Sequence, residues 1–419
     1  MGEKAKNLTV VPAKVCNGRG ENAMFLNEKI STEIKGEYDV VICGGGFGGI
    51  SAALASARMG KKTLLLERQY MLGGLGTAGL VTVYLPICDG VGHQVCFGIV
   101  EELFRLSISL GAEERYPENW LDGKGTRTDK DPRFMVRYNP QLFAILVEKL
   151  LMNEGVDILY GSYVVGVEMN DDKISHIIVE NKSGRHAYSV GSVVDATGDA
   201  DIAKFAKAPT AVFEAWNAIA AWYYYVGKNG YDLKELGYHS MTEEEKREFA
   251  SNNKVFPDLD EKEISRQMYI SHQRTLNDFM RKRETDPGVW PVTISTVPQI
   301  RMTRRIVGDY ELLHTEVHKY FEDSIGMVPS WRERGPVYEV PFSSLYSSKV
   351  KNLVTAGRCT SADDKMWDLI RAIPCCAVTG QAAGTAAAMT DDFTTLDVKK
   401  LQEQLVKDGV ILHEKDLAV

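Results

Sequence analysis

The sequence lacks any apolar run of about 18 residues, the minimum for a membrane-spanning helix, so we expect no membrane partner. It also lacks an excess of positive charge. The 419 residues carry a formal net charge of −8, which argues against nucleic acid and anionic membranes as main partners. Cysteine is scarce: seven residues in no regular spacing exclude a disulfide scaffold. No signal peptide is evident, so we expect a cytoplasmic protein with free thiols and no metal site.

The composition that is present is that of an ordinary globular protein, 44% hydrophobic and 25% charged. Shifts in character along the chain predict an N-terminal arm at residues 1–37 and a nucleotide-binding domain in two parts, residues 38–208 and 346–419. Residues 209–345, rich in aromatic and charged side chains, are interpreted as an inserted substrate-binding lobe. The predicted fold class is therefore α/β, a Rossmann-type domain with an inserted α+β lobe.

A β-turn-α-turn-β unit opens the nucleotide-binding domain. The apolar run of residues 38–43 predicts a buried parallel strand, followed by an alanine-rich helix and a second strand at residues 63–66. Between the first strand and the helix stand Gly44, Gly46 and Gly49. The first glycine permits a tight turn, the second lets the backbone approach a pyrophosphate, and the third lets the helix pack on the strand.

Two further features narrow the choice of nucleotide. Glu67 follows the second strand, where a carboxylate binds a ribose hydroxyl and disfavours a 2′-phosphate, so NAD and FAD remain open. A second glycine cluster at residues 73–79 favours FAD, because flavoproteins run the chain at this point beside the pyrophosphate and the flavin ring. A flexible loop is the alternative interpretation of this cluster.

A helix is also clear at residues 139–154. Asn139 is a suitable N-cap and Pro140 suits the first helical position. The periodicity predicts a buried face of four residues: Leu142, Ile145, Leu146 and Leu150.

Five blocks spread over most of the chain resemble one family. They are YDVVICGGGFGG, GGLGTAGLV, VVDATGDADIA, QIRMTRRIVGDY and VTAGRCTSADDKMWDLIRAIPCCAVTGQAAG. The chain resembles FAD-dependent oxidoreductases related to the succinate dehydrogenase and fumarate reductase flavoproteins, within the glutathione-reductase-like superfamily. The resemblance implies a Rossmann-type FAD-binding fold and flavin-linked redox chemistry.

The resemblance also implies a set of residues around FAD. Gly380 would begin a helix whose N-terminus points at the flavin pyrimidine ring and stabilises negative charge there. Arg358 stands where related flavoproteins have an aspartate, so that aspartate's hydrogen bond is not assigned to it. Leu75 and Gly76 replace the histidine that links flavin covalently in the succinate dehydrogenase type, so noncovalent FAD is expected. The predicted cofactor-binding residues are Gly44, Gly46, Phe47, Gly48, Gly49, Glu67, Arg68, Gly74, Thr77, Ala196, Thr197, Gly198, Gly357, Arg358, Gly380, Gln381 and Ala382.

The arginines of the fourth block have two interpretations. Arg301, Arg304 and Arg305 lie beyond the middle of the predicted lobe, and guanidinium groups bind carboxylates through two parallel hydrogen bonds. They would then hold an acidic substrate. Equally, they would form salt bridges between domains.

Three more residues are candidates for the chemistry. Arg371 matches an arginine of the family's last block and is expected near the substrate. Asp364 is either a general base or a helix N-cap. His93 is a candidate acid or base, or a structural loop residue.

We expect an FAD-dependent dehydrogenase that moves hydride between flavin N5 and a small polar metabolite. A C=C reductase of fumarate reductase type, a flavin monooxygenase, and a protein that holds flavin without redox turnover are the alternatives. The expected partners are a small-molecule substrate and a separate electron acceptor or donor, and the sequence is compatible with a homo-oligomer.

Overall fold

A computed structural model describes residues 29–91, 93–110, 136–214, 217, 220–237, 240–241, 243–244, 246–247 and 259–417. The predicted N-terminal arm therefore lies outside the described residues up to residue 28. The chain from Glu33 onward forms one compact unit. None of the helices in the described ranges is both long enough and apolar enough to cross a membrane.

The α-helices within the described part of the chain are α1 (Phe47–Arg58), α2 (Ile99–Ile108), α3 (Pro140–Asn153), α4 (Asp201–Phe205), α5 (Glu261–Thr285), α6 (Asp364–Ile370), α7 (Ile373–Met389) and α8 (Val398–Lys407). The strands are β1 (Glu33–Cys43), β2 (Thr63–Leu66), β3 (Val83–Tyr84), β4 (Val136–Arg137), β5 (Asp157–Leu159), β6 (Tyr163–Asn170), β7 (Lys173–Asn181), β8 (Gly184–Asp195), β9 (Thr210–Val212), β10 (Tyr223–Gly227), β11 (Gly230–Lys234), β12 (Trp290–Ile294), β13 (Arg304–Ile306), β14 (Ser324–Pro329), β15 (Val337–Pro341) and β16 (Leu353–Thr355).

A seven-stranded sheet organises the described residues. Its parallel part has the order β5-β2-β1-β8-β16. The hairpin of β6 and β7 continues the sheet in antiparallel fashion beside the first half of β8. Because β1 lies between β2 and β8, the strand order reverses at β1, which is where open parallel sheets bind their ligands. This arrangement confirms the predicted Rossmann-type α/β fold.

The ends of the central strands are in register. Cys43 at the end of β1 pairs with Leu66 at the end of β2 and with Asp195 at the end of β8. Thr355 at the end of β16 pairs with the same Asp195. The loops that follow these four strands therefore leave one edge of the sheet side by side, and all four carry predicted cofactor residues.

Residues 209–345 form smaller sheets. Strands β10, β11 and β12 make a three-stranded antiparallel sheet, and Tyr223 on β10 donates a hydrogen bond to Asp278 of α5 at 2.8 Å. Two-stranded sheets pair β9 with β13 and β14 with β15. The mixed α+β content agrees with the prediction for this region, and its status as a separate lobe stays a prediction.

Helix α3 begins as predicted but buries a different face. The Asn139 side chain accepts hydrogen bonds from Gln141 N and Leu142 N, and Pro140 is the first helical residue. The predicted buried face is wrong, because Leu142 and Ile145 are exposed and the stripe Phe143, Val147 and Leu151 is buried instead. The rings of Phe47 on α1 and Phe143 on α3 are stacked with their centres 4.9 Å apart. This contact determines which face of α3 is buried.

Helices α1 and α7 cross at contacts that leave no room for side chains. A Cβ added to Gly380 would lie 2.2 Å from Gly48 O, and one added to Gly384 would lie 2.2 Å from Ala52 O. The two contacts are four residues apart on both helices, so the pairs lie on one face of each helix. Glycine at these positions sets how closely α7 approaches α1.

We predict that Gly384→Ala destabilises the protein by roughly 1–3 kcal/mol through this backbone contact. Helix propensity alone favours alanine over glycine by about 1 kcal/mol, so the sign of the change is diagnostic. The measurement is the free energy of unfolding by chemical denaturation. Gly237→Ala is the control, because a Cβ there meets no described atom within 4 Å. A Gly384→Ala protein as stable as wild type would contradict the close crossing.

Candidate active site

The fingerprint turn contains two glycines that the fold itself requires. Gly44 has a φ of 106°, and a Cβ there would lie 2.4 Å from Ala196 O. A Cβ on Gly49 would lie 1.8 Å from Gly44 O. Gly46 differs, since its φ is −74° and an added Cβ meets no described atom within 4 Å. Nothing in the fold demands glycine at position 46, so the open space there suits an approaching ligand.

The second glycine cluster lies directly against the fingerprint. Gly73 N donates to Gly45 O at 2.8 Å, and Gly73 forms a bridge with Gly46. A Cβ on Gly74, whose φ is 55°, would lie 3.3 Å from Gly46 Cα. The Thr77 hydroxyl donates to Leu72 O and so braces its own loop. The two clusters, 27 residues apart between Gly46 and Gly73 in the sequence, form one glycine-lined cradle.

Glu67 is buried at the end of β2 and faces the same turn. One carboxylate oxygen accepts a hydrogen bond from Gly45 N at 2.6 Å and the other from Gln69 N at 2.7 Å. Burial raises the pKa of Glu67, although these backbone hydrogen bonds oppose the shift. Glu67 thus fixes the turn in addition to the predicted ribose contact, while the neighbouring Arg68 is exposed.

The loop after β8 is held at the same sheet edge. Ala196 N donates to Cys43 O at 2.9 Å. The Thr197 hydroxyl donates to Asp195 at 2.7 Å and accepts from Asp201 N at 3.1 Å, where α4 begins. Asp195 is fully buried, and this burial raises its pKa. These side chains hold the loop in place.

Arg358 joins three segments. Its guanidinium donates to Asp199 at 3.2 Å and to the carbonyl oxygens of Ile300 and Arg301, each at 3.1 Å. The same group packs over Gly198, where a Cβ would lie 2.6 Å from its Nη2 atom. Arg358 therefore connects the loop after β8 with the fourth sequence block, in place of the hydrogen bond that an aspartate makes in related flavoproteins.

The prediction that Gly380 begins a helix is wrong. Helix α7 begins at Ile373, directly after Arg371 and Ala372, and Gly380 lies in its interior against Gly48. The reason is Pro374, which suits a first turn, whereas Gly380 serves the crossing with α1. The helix end available to a ligand is that of Ile373, and no described side chain caps it.

Four more predicted cofactor residues have packing roles. Gln381 Oε1 accepts a hydrogen bond from Ile99 N at 2.9 Å and so caps α2, and Ala382 is fully buried in α7. The Phe47 ring is buried among Tyr84, Tyr138 and Phe143, so any cofactor contact would come from its backbone. Gly357, with a φ of 73°, lies beside Gly48, since a Cβ on Gly48 would be 3.2 Å from Gly357 N.

The arginines of the fourth block separate into two groups. Arg304 pairs with Asp201 at 2.6 Å, and Arg305 pairs with Glu311. Arg304 therefore forms a salt bridge between two predicted domains, whereas the pair of Arg305 with Glu311 lies within residues 209–345. For Arg301, no carboxylate within the described ranges lies at ion-pair distance, and its buried Nη1 atom has no hydrogen-bond partner. Its guanidinium lies 5.8 Å from the ring centre of Trp222.

Arg371 lies at the C-terminal end of α6, next to the start of α7, and pairs with Asp368. Asp368 also pairs with Arg332. Burial alone would raise the pKa of Asp368, but Arg371 and Arg332 outweigh it and lower this pKa. The charge of Arg371 acts on Arg301, so the structure brings these two predicted residues together.

Within the described residues, neither Asp364 nor His93 forms a hydrogen bond or an ion pair with Arg301 or Arg371. The N-cap of α6 is Asp363, whose carboxylate accepts from Met366 N at 2.7 Å and His314 N at 2.9 Å. Asp364 itself is exposed, and partial burial raises its pKa while Arg305 lowers it. His93 Nδ1 lies 2.7 Å from the buried Asp89 carboxylate, within its own loop.

Sequence reasoning missed the side chains that fix residues 299–303. Gln299 donates to Gly79 O at 2.6 Å, and the Thr303 hydroxyl donates to Asp199 at 2.7 Å. Asn217 accepts from Met302 N at 2.9 Å and donates to Met302 O at 2.6 Å. Polar residues at both ends of the QIRMT run were the available signal, but their partners are distant in the sequence.

These residues fit a dinucleotide. The first turn of α1 contains no acidic residue and no described side chain caps it, so its N–H groups can meet phosphate oxygens. The space at Gly46 faces that turn, Gly74 lies against it, and Glu67 is in hydrogen-bond contact with it. A pyrophosphate held there would continue past Gly357 toward the start of α7.

Comparison with known proteins gives one family match and several partial matches. A family model described as FAD dependent oxidoreductase matches residues 39–220 and 213–405. The chain is similar to the tRNA uridine 5-carboxymethylaminomethyl modification enzyme MnmG of Lactobacillus delbrueckii subsp. bulgaricus, with 33% identity over 104 residues, 25% of this chain and 15% of that protein. The same enzyme of Clostridium botulinum is 25% identical over 150 residues, 35% of this chain and 22% of that protein. The chain thus spans less than a quarter of the length of these relatives.

Solved structures with a similar chain course include a geranylgeranyl bacteriochlorophyll reductase-like protein from Thermoplasma acidophilum. It has 14% identity and a TM-score of 0.41, covering 89% of this chain and 84% of that one. The p-nitrophenol 4-monooxygenase of Pseudomonas putida has 12% identity and a TM-score of 0.43, covering 90% of this chain and 98% of that one.

We predict that Gly46→Ala leaves folding stability near wild type but strongly lowers the bound flavin, because the new methyl group enters the space where a phosphate approaches the backbone. The measurements are the flavin-to-protein absorbance ratio after purification and the unfolding midpoint of the cofactor-free protein. Gly49→Ala is the contrasting variant and should lose folding stability, since its Cβ overlaps Gly44 O. A Gly46→Ala protein with full flavin content would show that the phosphates bind elsewhere.

Proposed function

The chain belongs to the FAD-dependent oxidoreductase family, and from this premise we propose that it transfers hydride between FAD and a small polar organic metabolite. The observation that carries the proposal is the cradle of two glycine clusters at the carboxyl ends of β1 and β2, with open space at Gly46. FAD is the cofactor of the family, and its ring supplies a two-electron acceptor.

The chain's own residues would divide the remaining work. The backbone N–H groups at the start of α1 and the Gly46 turn would hold the phosphates, and Glu67 the ribose. The uncapped start of α7 at Ile373 would stabilise negative charge on the flavin ring. Arg371, one residue before the α7 cap, would face the substrate. Asp364 is the proposed proton acceptor.

The substrate is proposed to be a small molecule. The curated relatives are named for modifying uridine in tRNA, but the matched stretches cover at most 35% of this chain. The net charge of −8 disfavours a polyanionic partner. A C=C reductase related to fumarate reductase flavoproteins and a flavin monooxygenase are alternative reactions at the same site.

We predict that FAD is bound noncovalently, because Leu75 and Gly76 stand where a flavin-linking histidine would be expected. Acid precipitation of the purified protein should release all yellow colour into the supernatant. Absorbance of the washed pellet near the flavin band is the check, and colour retained there would disprove noncovalent binding.

We predict that a substrate reduces the flavin anaerobically in one two-electron step without NAD(P)H. The experiment mixes the holoprotein rapidly with members of a panel of small polar metabolites and follows loss of the yellow absorption band. A neutral sugar that does not bind provides the baseline. Bleaching by NADPH alone followed by an oxygen-dependent hydroxylated product would support a monooxygenase instead. Bleaching by NADH or another donor, followed by recovery of colour on adding an unsaturated acid without oxygen, would support the C=C reductase.

A further inference from the structure

Arg301 differs from the arginines that surround it. Four neighbours in sequence or space each pair with a carboxylate: Arg304 with Asp201, Arg305 with Glu311, Arg358 with Asp199, and Arg371 with Asp368. Arg301 has no such partner in the described ranges, and its Nη1 atom is buried without a hydrogen bond. Arg301 as a whole is half-buried, but its Nη1 atom is cut off from water, and a buried polar atom of a cation is costly unless a partner binds it.

Hydrogen bonds hold the backbone on either side of Arg301. Two residues before it, Gln299 is bound to Gly79 O, and two residues after it, Thr303 is bound to Asp199. Arg358 holds the carbonyl oxygen of Arg301 itself at 3.1 Å. These contacts fix the backbone at residue 301, and the guanidinium lies 5.8 Å from the ring centre of Trp222.

The local charge is positive. Burial, together with the charges of Arg371 and Arg358, lowers the pKa of Arg301 to about 9. Asp368 is the acidic group that opposes this effect, and it already pairs with Arg371 and Arg332. An incoming anion would relieve the repulsion among the three guanidinium groups.

We infer that Arg301 binds a carboxylate of the substrate, so that the substrate class is a carboxylic acid. The inference rests on the proposed function, because it assigns the carboxylate to the substrate of the same flavin site. Planar guanidinium groups match carboxylates through two parallel hydrogen bonds. The other source of an anion is the cofactor, whose phosphates are expected at Gly46, on the loop after β1. The guanidinium of Arg301 instead lies 5.8 Å from the ring centre of Trp222, directly before strand β10.

The test uses the FAD-loaded protein with two matched pairs of probes, benzoate with benzamide and malonate with malonamide. Perturbation of the flavin absorption band gives each affinity, and the unfolding midpoint gives the stabilisation. We expect at least one acid to bind and its amide to fail. Arg301→Gln should weaken that binding by roughly 10- to 100-fold with full FAD content. Arg185→Gln, in the exposed pair with Glu180, is the control and should leave it unchanged.

Stability without a probe gives a second measurement. Removing an unpaired buried charge should leave the unfolding midpoint of Arg301→Gln equal to or above that of wild type, whereas a structural arginine would lower it. Arg301→Lys, which keeps the charge but loses the fork, should also bind the acid more weakly than wild type. It provides the affinity test if Arg301→Gln does not fold.

The inference is overturned if neither acid binds, if Arg301→Gln binds it as wild type does, or if Arg301→Gln loses FAD, since Arg301 would then serve the cofactor. Failure of the proposed function looks different: the wild-type protein would hold no flavin. In that case the unfolding midpoint of the cofactor-free protein with benzoate or malonate still tests Arg301.

Discussion

The structure depends on backbone contacts that admit no side chain. Gly49 lies so close to Gly44 O that an added Cβ would be 1.8 Å away, and Gly380 presses on Gly48 O at 2.2 Å by the same measure. Helix α1 is thus fixed between the end of β1 and helix α7. Because close-packed interiors cannot absorb such overlaps, these contacts determine where the first turn of α1 points, and with it the direction of its free N–H groups.

Two buried carboxylates hold the turns of this region through hydrogen bonds. Glu67 directly follows β2 and Asp195 ends β8, the two strands on either side of β1. Both carboxylates accept hydrogen bonds from backbone N–H groups of the turns around them. Burial raises the pKa of each, so their carboxylates are held at an energetic cost that the turn hydrogen bonds offset. Glycine permits the turns, and these carboxylates keep them in one conformation.

Local patterns predicted the elements whose causes are local. The fingerprint, the strands on both sides of it and the Asn139 N-cap were predictable because each depends on residues within a few positions. The buried face of α3 was not, since Phe143 is selected by Phe47 from another helix. The helix start at Gly380 failed for the same reason: a run of small residues indicates close packing, and only the fold shows that α1 is the partner. The roles of the arginines depend on carboxylates as far as 103 and 159 positions away.

Long-range ion pairs also explain why Arg301 differs from the arginines around it. Arg304 pairs with Asp201 at the start of α4, and this ion pair ties the fourth sequence block to the nucleotide-binding sheet. Arg358 pairs with Asp199 in the loop after β8 and also holds the carbonyl oxygens of Ile300 and Arg301. Gln299 ties the other end of that block to the second glycine cluster. Arg301 lies between these attachments, so its backbone is held by its neighbours and by Arg358, while its side chain forms no ion pair within the described residues. We therefore infer that the electrostatic complement of its guanidinium is a carboxylate of the substrate.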